Sequence, residues 1–376
     1  MFNAISHNVL QLPVSEKKTR YQSSSIFELA STFGLEDLHF KQDLATGLQA
    51  IVAIHNTSRG PALGGTRCMS YATESAAIVD VIRLAQGMSY KSAFAHMPYG
   101  GGKAVLIRPH QILNRDAYFE SFGEFLNTLN GRFITAVDVG TSVDDMDRIA
   151  HCSSFVKCTS TRRGDPSVDT AKGVLNGIKA AIKVCLKHDD LHGVRVAIQG
   201  VGKVGTFLAE LLHQEGAKLI VSDINHKSAE YCAQLFGAEI VSPEQIYSVH
   251  CDVFSPCALG GSVNANTMHL INARIICGSA NNQLSSISVG DSLHQKQIFL
   301  VPDYVVNVGG LIHIVIESNA EAQTKVSEIY DAVIDIYRRS QKNNVPSQRI
   351  ANQMVEKILS QTTPPANNPC YVRGLT

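Results

Sequence analysis

A glycine fingerprint in the second half of the chain constrains the fold most strongly. Gly200, Gly202 and Gly205 are spaced as GxGxxG, directly after an apolar run at 193–199 that is typical of a buried strand. A helical pattern follows the glycines, and residues 218–223 then resemble a second strand. A strand, a crossover helix and a second strand make one βαβ unit. The pattern therefore predicts a Rossmann-type domain around a parallel sheet.

Each part of this fingerprint has a physical role in binding a dinucleotide. Gly200 permits a tight turn, Gly202 lets the backbone approach a pyrophosphate, and Gly205 lets the helix pack closely on the strand. The N-terminus of the helix, at Lys203 and Val204, presents unpaired N–H groups to the phosphates. The fingerprint therefore predicts a nucleotide site at the start of this helix.

An acidic residue at the end of the second strand favours NAD as the cofactor. Asp223 lies eighteen positions past Gly205, where a carboxylate accepts hydrogen bonds from the ribose hydroxyls. The same carboxylate repels the 2′-phosphate of NADP. His226 and Lys227 lie near enough in the sequence to leave the degree of selectivity open. A Rossmann-like domain that binds another ligand is the alternative.

Length and composition indicate a globular protein of two domains. The chain has 376 residues, 44% of them apolar, which is long for a single hydrophobic core. Basic and acidic residues balance at 33 each, which argues against nucleic-acid and membrane partners. We expect a cytoplasmic protein, because no long apolar run and no secretory signal is evident. The nine cysteines include no CxxC pair and no histidine cluster at ligand spacing, so we expect reduced thiols and no metal site.

Two lysines in the first half of the chain suggest a site for a small anion. Apolar residues at helical spacing over 74–90 predict a helix that places Lys91 at its C-terminal end. Lys103 follows three glycines, where bare backbone gives little shielding. Burial beside a second ammonium lowers the pKa of the less solvated lysine, which can then act as a base. Two surface lysines beside a turn are the alternative.

Asp138 lies where catalytic side chains are often found. Residues 133–137 resemble a strand that ends at Asp138, and strand ends commonly carry functional groups. Taken alone, Asp138 could form an Asx turn, and Asn307 could form a turn before the glycines that follow it. The polar stretch at 159–167 predicts a hinge between the two domains.

Six motifs stand out as a set. They are GPALGGTR at 60–67, GMSYK at 87–91, GGGK at 100–103, TAVDVGT at 135–141, GSANNQL at 278–284 and PDYVVN at 302–307. Their combination resembles the amino-acid dehydrogenase family of leucine, valine, phenylalanine and glutamate dehydrogenases, and it is most similar to the leucine dehydrogenase branch. The similarity covers residues 25–360, nearly the whole chain.

This resemblance implies an α/β fold in two domains with a cleft between them. An N-terminal α/β domain at 1–150 would serve substrate binding, catalysis and oligomerisation, and a Rossmann NAD-binding domain would occupy 151–325. Helices at 326–360 would return to the substrate domain, before a tail at 361–376. The resemblance also implies a homo-oligomer, without indicating its size.

The resemblance implies a role for the residues of the first domain. Lys91 would bind the substrate α-carboxylate, aided by Asn307 and by the backbone of a turn at 64–65. Lys103 would be the catalytic base, and Asp138 would exchange protons with the substrate nitrogen. The other residues expected at the substrate are Gly64, Gly65, Met88, Leu63, Ala136, Val333 and Ile336.

The resemblance also implies the contacts of the nicotinamide. Thr170 would lie at the carboxamide, and Ala258 and Asn282 would flank the nicotinamide ribose. The implied reaction is the NAD-dependent oxidative deamination of an L-amino acid to a 2-oxo acid and ammonium.

Leucine, valine and isoleucine are the expected substrates. No obvious extra cation lies near the residues expected to bind the α-carboxylate. The side-chain carboxylate of a glutamate substrate would therefore be buried without a partner, which is unfavourable and argues against glutamate. Ala136 is the residue type that leucine enzymes have at this position, whereas Val137 and Val308 differ from the residues usual in that branch. There are two alternatives: a dehydrogenase of aromatic L-amino acids and an NAD-binding sensor without catalysis.

Overall fold

The computed structural model describes residues 25–161 and 165–361 and contains two sheets. The first sheet consists of β1 (Asp37–Asp43), β2 (Leu48–Asn56), β3 (Ala62–Met69), β4 (Gly100–Ile107) and β5 (Phe133–Val137). Its order is β1-β2-β4-β3-β5. β2 pairs antiparallel with β1 and β4, whereas β3 pairs parallel with β4 and β5.

Helices cover both faces of this first sheet. They are α1 (Ile26–Phe33), α2 (Glu74–Phe94), α3 (Arg115–Thr128) and α4 (Val143–Cys152). Strand β2 is apolar on both sides: Val52 and Ile54 belong to the core cluster of α3 and α4, and Ile51 and Ala53 to that of α1 and α2. Successive strand residues point to opposite faces, so a continuous apolar run predicts a strand buried on both sides.

The second sheet is fully parallel. Its strands are β6 (Arg195–Gln199), β7 (Lys218–Ser222), β8 (Glu239–Ile240), β9 (Val253–Pro256), β10 (Ile275–Ile276) and β11 (Phe299–Leu300). Their order is β11-β10-β9-β6-β7-β8. The chain moves outward from β6 to β8 and then crosses back to β9, so the direction of winding reverses between β6 and β9. Ligands of doubly wound sheets bind at such a reversal, beyond the carboxyl ends of the strands.

Four helices accompany the second sheet, and four more follow it. The first four are α5 (Ser167–Cys185), α6 (Lys203–Gln214), α7 (His226–Phe236) and α8 (Ile287–Gln295). The later four are α9 (Asp303–Val306), α10 (Gly309–Val315), α11 (Asn319–Asn343) and α12 (Ser347–Ser360). α11 packs mainly on α5, whereas α12 packs on α2 of the first domain. The C-terminal helices therefore contact both domains.

The predicted α/β architecture with a Rossmann domain is confirmed. Strand β5 has the predicted bounds. In the first domain β1, β3 and α4 were not identified from the sequence, and in the second domain neither were the elements between β7 and α11. The sequence pattern predicts a strand at 104–107, and β4 begins four residues earlier, at Gly100. β4 begins with three glycines, and glycine is disfavoured in strands, so the sequence pattern did not predict this part of the strand. Part of the predicted hinge and the predicted tail, at 162–164 and 362–376, lie outside the described residues. Within the described residues, no helix is both long and apolar enough to cross a membrane.

Candidate active site

A close contact between α2 and β4 brings the two lysines together. A Cβ atom built on Gly101 would lie 2.0 Å from the backbone nitrogen of Ser89. Lys91 lies two residues after Ser89 on α2, and Lys103 lies two residues after Gly101 on the same face of β4. The glycine therefore lets the helix rest on the strand, so that both lysines line one cavity of about 110 Å³.

Lys103, within β4, and Asp138, directly after β5, form a buried ion pair. Only 4% of Lys103 is exposed. Burial lowers the pKa of Lys103; Asp138 opposes this effect and the guanidinium of Arg67 adds to it. Burial alone would raise the pKa of Asp138, but Lys103 and Arg67 hold it well below its usual range. Asp138 is therefore ionised at neutral pH, and Lys103 is a lysine of reduced basicity.

Lys91 is the second buried cation of the cavity. Burial and the nearby charge of Lys103 lower its pKa to about 8, against the opposing effect of Asp303. Its ammonium group donates a hydrogen bond to Oδ1 of Asn281, at 3.1 Å. Lys91 therefore links α2 to the loop after β10, across the cleft between the domains.

Asn281 gathers the groups expected to bind a carboxylate. Its Oδ1 atom also accepts a hydrogen bond from Nδ2 of Asn307, again at 3.1 Å. Within the described part of the chain, the Oδ1 atom of Asn307 is buried without a hydrogen-bond partner. Two donors that converge on one oxygen can equally bind one oxygen of a substrate carboxylate. Asn281 was missed in the sequence, although it lies in a quoted motif beside Asn282.

Asp303 is a fourth buried charge at this site, and it was not identified from the sequence. It begins α9, and its carboxylate accepts the backbone N–H of Asn282. Burial raises the pKa of Asp303, while Lys91 acts in the opposite direction. The same side chain thus contacts the Asn282 backbone and lies within the electrostatic reach of Lys91. Its position in the PDYVVN motif was the available signal.

The crevice between β6 and β9 has the features of a dinucleotide site. Gly200 adopts φ +91°, and a Cβ there would lie 2.8 Å from Ala258. Gly202 has open space around it and precedes α6, whose N-terminus has no side-chain cap. Free N–H groups beside an uncrowded glycine suit a pyrophosphate.

Asp223 lies at the end of β7, as the fingerprint predicts, and it organises the glycine loop. Its two carboxylate oxygens accept the backbone N–H groups of Val201 and Asn225, each at 2.8 Å. Val204 follows in the first turn of α6, next to Lys203, whose ammonium pairs with Asp165 at 2.8 Å. The residues present therefore fit a dinucleotide, with Lys203 held by the segment that precedes α5.

Thr170 lies in the first turn of α5, against α10. Its hydroxyl donates to the carbonyl of Pro166, and a Cβ on Gly310 would lie 2.5 Å from that hydroxyl. Ala258 lies in the loop after β9, and Asn282 in the loop after β10. The three expected nicotinamide contacts therefore come from separate segments of the second domain.

The expected turn at Gly64 and Gly65 is wrong, because both residues lie within β3. A Cβ on Gly64 would lie 1.8 Å from the carbonyl oxygen of Gly102. On Gly65 it would lie 2.7 Å from Cβ of Asp138 and 3.3 Å from Nζ of Lys103. The glycines are thus needed for close strand packing, and Gly65 leaves room beside the ion pair.

The expected apolar pocket residues lie in two places. Met88 lines the cavity on α2, whereas Leu63 and Ala136, on the adjacent strands β3 and β5, are buried in core clusters and are not among the residues that line it. Val333 and Ile336 depart from the prediction that they form the pocket wall. Both are fully buried in the core cluster that α11 shares with α5, because α11 packs mainly on that helix. Gln348 and Asn352 of α12 line the cavity instead.

Family models and curated relatives match most of this chain. Residues 37–154 match the Glu/Leu/Phe/Val dehydrogenase dimerisation domain, and residues 165–229 and 221–362 match the Glutamate/Leucine/Phenylalanine/Valine dehydrogenase domain. Leucine dehydrogenase of Geobacillus stearothermophilus is 43% identical over 93% of this chain and 97% of its own. L-tryptophan dehydrogenase of Nostoc punctiforme is 40% identical over 90% of this chain and 97% of its own.

Solved structures show the same fold. The crystal structure of L-tryptophan dehydrogenase from Nostoc punctiforme has a TM-score of 0.72 at 38% identity and covers 89% of this chain and 99% of its own. A glutamate dehydrogenase from Thermus thermophilus has a TM-score of 0.73 at 20% identity, over 88% of this chain and 89% of its own, which shows the fold alone. The chain therefore belongs to the glutamate, leucine, phenylalanine and valine dehydrogenase family, and it is an amino-acid dehydrogenase.

Proposed function

We propose that the protein catalyses the reversible NAD-dependent oxidative deamination of leucine, valine and isoleucine. One observation carries the proposal: Lys103, which is paired with Asp138, lines the same cavity as Lys91. A cation that binds the substrate thus lies beside a lysine of lowered basicity and an ionised carboxylate. Leucine dehydrogenases 43–44% identical to this chain support the choice of substrate.

The α-carboxylate of the substrate would be bound by Lys91 and Asn307. Both now donate to Oδ1 of Asn281, and an anionic oxygen is a stronger acceptor than an amide oxygen. The pKa of Lys91 is about 8, so this lysine is largely protonated at neutral pH. An anion beside it favours the ammonium form further. The clamp would therefore strengthen as the substrate binds.

Proton transfer would be carried out by Lys103 and Asp138. Bound NAD⁺ supplies hydride acceptance, which converts the amino acid to an imine. Neutral Lys103 would remove a proton from the water that attacks the imine carbon, and Asp138 would exchange protons with the nitrogen as the carbinolamine breaks down. The products are a 2-oxo acid and ammonium. The contact between Lys103 and Asp138 would keep both side chains within reach of the same substrate carbon.

NAD would be preferred over NADP because of Asp223. Its carboxylate lies at the end of β7 and already holds the glycine loop through Val201. Bringing a 2′-phosphate to this position would place two negative charges together. Thr170, Ala258 and Asn282 would complete the nicotinamide end of the site.

The apolar part of the substrate would lie against Met88, which lines the cavity, with Leu63 and Ala136 buried behind it on β3 and β5. A difference of one methylene in such a pocket is worth only about 1–3 kcal/mol, so the three branched substrates should all react. Tryptophan and phenylalanine dehydrogenases at 40% identity keep an aromatic substrate as the second candidate.

We further propose that the protein is a homo-oligomer. β1 is an edge strand of the first sheet, and it exposes 54% of Phe40, while Leu44 directly after it is 87% exposed. An open strand edge beside exposed apolar side chains favours association. Light scattering coupled to size-exclusion chromatography tests this: a monomer mass would refute it.

The function is tested by following NADH formation over a panel of L-amino acids, with NAD⁺ and NADP⁺ in parallel. We expect turnover of the three branched-chain substrates with NAD⁺, whereas preference for phenylalanine or tryptophan would select the second candidate. Lys103→Ala should lose about 10²–10⁴-fold in turnover and retain NADH binding. The exposed Lys342→Ala is the matched control. Unchanged turnover in Lys103→Ala would refute the mechanism.

A further inference from the structure

A line of four alternating charges lies behind the substrate cavity, and its first member, Asp80, is the most exposed, with 28% of its side chain accessible. The line runs from Asp80 on α2 to Arg67 on β3, then to Asp138 after β5, and ends at Lys103 on β4. Arg67 donates from Nη1 to Oδ2 of Asp80 at 2.8 Å, and its Nε lies 3.7 Å from Oδ2 of Asp138. The last two members are the proposed proton-transfer groups, and the first two have no role in the mechanism above.

Arg67 is held rigidly in this line. The residue is 7% exposed, and Tyr71 donates a second hydrogen bond to Oδ2 of Asp80, at 2.7 Å. The desolvation of Arg67 is outweighed by the carboxylates of Asp138 and Asp80, so its pKa is raised and it stays charged at every working pH. Burial and the charge of Asp80 also raise the pKa of Tyr71, so the phenol stays neutral.

The contact between Arg67 and Asp138 is unusual because it is not a hydrogen bond. Nε of Arg67 and Oδ2 of Asp138 are both buried. Among the described residues Nε has no hydrogen-bond partner, whereas Oδ2 is in contact with Nζ of Lys103. Nε of Arg67 and Oδ2 of Asp138 lie 3.7 Å apart and interact through charge, and a buried charge interaction is far less screened than one in water. A guanidinium with an orphaned donor facing the catalytic carboxylate suggests a role in the reaction beyond packing.

We propose that Arg67 is a positioning residue that keeps Asp138 ionised and keeps Lys103 available as the base. The proposal rests on the proposed function, in which Lys103 is that base. A fixed positive charge next to Asp138 stabilises its carboxylate and disfavours a further positive charge on Lys103. Asp80 has the opposite effect on Lys103, because its carboxylate favours the ammonium form.

The signs of these effects are testable. Asp138 and Asp80 raise the pKa of Lys103, and Arg67 lowers it; Lys91 is the other ammonium group of the cavity, and Lys103 lowers its pKa. Removing Arg67 should therefore raise the pKa of Lys103, and removing the charge of Asp80 should lower it. A purely structural role predicts lower activity in both variants, without opposite shifts in pH dependence.

The experiment measures kcat against pH for oxidative deamination at saturating substrate, where the acid limb reports the loss of a proton from the base. In Arg67→Met the limb should move to higher pH by about one unit, and in Asp80→Asn to lower pH. Arg67→Lys retains the charge and should keep the limb close to that of the parent protein. Shifts of Arg67→Met and Asp80→Asn in the same direction, or no shift in either, would overturn the proposal.

Two further measurements separate this proposal from the proposed function. Thermal melting and NADH binding establish that each variant is folded. NMR titration of ¹³Cε-labelled lysines, with Lys103 assigned from Lys103→Arg, reports the pKa of Lys103 without turnover. An unchanged Lys103 resonance titration in Arg67→Met refutes the role of Arg67. A shifted titration in a protein that deaminates no amino acid refutes only the proposed reaction.

Discussion

The contact of α2 with β4 predicts that Gly101→Ala will impair both stability and catalysis. The new Cβ would lie 2.0 Å from the backbone nitrogen of Ser89 and 2.4 Å from its Cα, whereas ordinary contact begins at 3.4 Å. The nearest atoms are backbone atoms, so no side-chain rotation relieves the overlap. The helix must therefore move away from the strand by about 1.4 Å, the difference between 3.4 and 2.0 Å.

Such a movement has two measurable consequences. Overpacking of this kind costs about 1–3 kcal/mol. We expect the free energy of unfolding to fall by an amount at the upper end of that range or above it. Lys91 moves with α2, and a misplacement of about 1 Å reduces turnover by about 10²-fold. Urea unfolding measures the first effect, and kcat/KM with leucine measures the second.

Gly87→Ala on the same helix is the matched control. The nearest atom to its added Cβ is Oδ1 of Asn282 at 3.8 Å, an ordinary contact. Replacing a helical glycine by alanine stabilises by up to about 1 kcal/mol, so this variant should be no less stable than the parent protein. Parental stability and kcat/KM in Gly101→Ala would refute the argument that close backbone contact places the lysines.

Three other perturbations have expected outcomes. His55 is buried, and desolvation lowers its pKa to about 4, so the unfolded state binds a proton between pH 6.5 and 4 that the folded state does not. Stability should therefore fall by up to about 3 kcal/mol as pH drops through that window, and in His55→Gln urea unfolding should show a smaller fall. Gly200→Ala should weaken NADH binding at least about tenfold in fluorescence titration, whereas Gly237→Ala, also at positive φ but with open space, should not. Asp145→Ala loses a capping box and a bidentate pair with Arg115 and should destabilise by about 2 kcal/mol in urea unfolding, against no more than about 1 for the adjacent Asp144→Ala.

The nucleotide half could be predicted well from the sequence because its signals are local. The turn at Gly200, the open N-terminus of α6 and the carboxylate of Asp223 lie within one βαβ unit, and each reflects a backbone need of that unit. The bounds of β5, and hence the position of Asp138 just after a strand, follow from a short apolar run in the same way.

Prediction was weaker where backbone contacts between distant segments override local preference. Gly64 and Gly65 look like a turn in isolation, yet they form part of β3 because only glycine fits against Gly102 and Asp138. Val333 and Ile336 have the periodicity of a buried helix face, but periodicity does not say which neighbour covers that face. The packing of α11 on α5 decided it.

The sequence by itself determined the fold class, the cofactor crevice and the identity of the two lysines and the aspartate, because glycine spacing and apolar periodicity act over a few residues. The tertiary structure alone decided which polar and charged groups surround these three residues. Asn281 and Asp303 reach Lys91 from the other domain, and Arg67 reaches Asp138 across neighbouring strands. Electrostatic effects depend on distance and burial, and both arise only when segments far apart in the chain pack together.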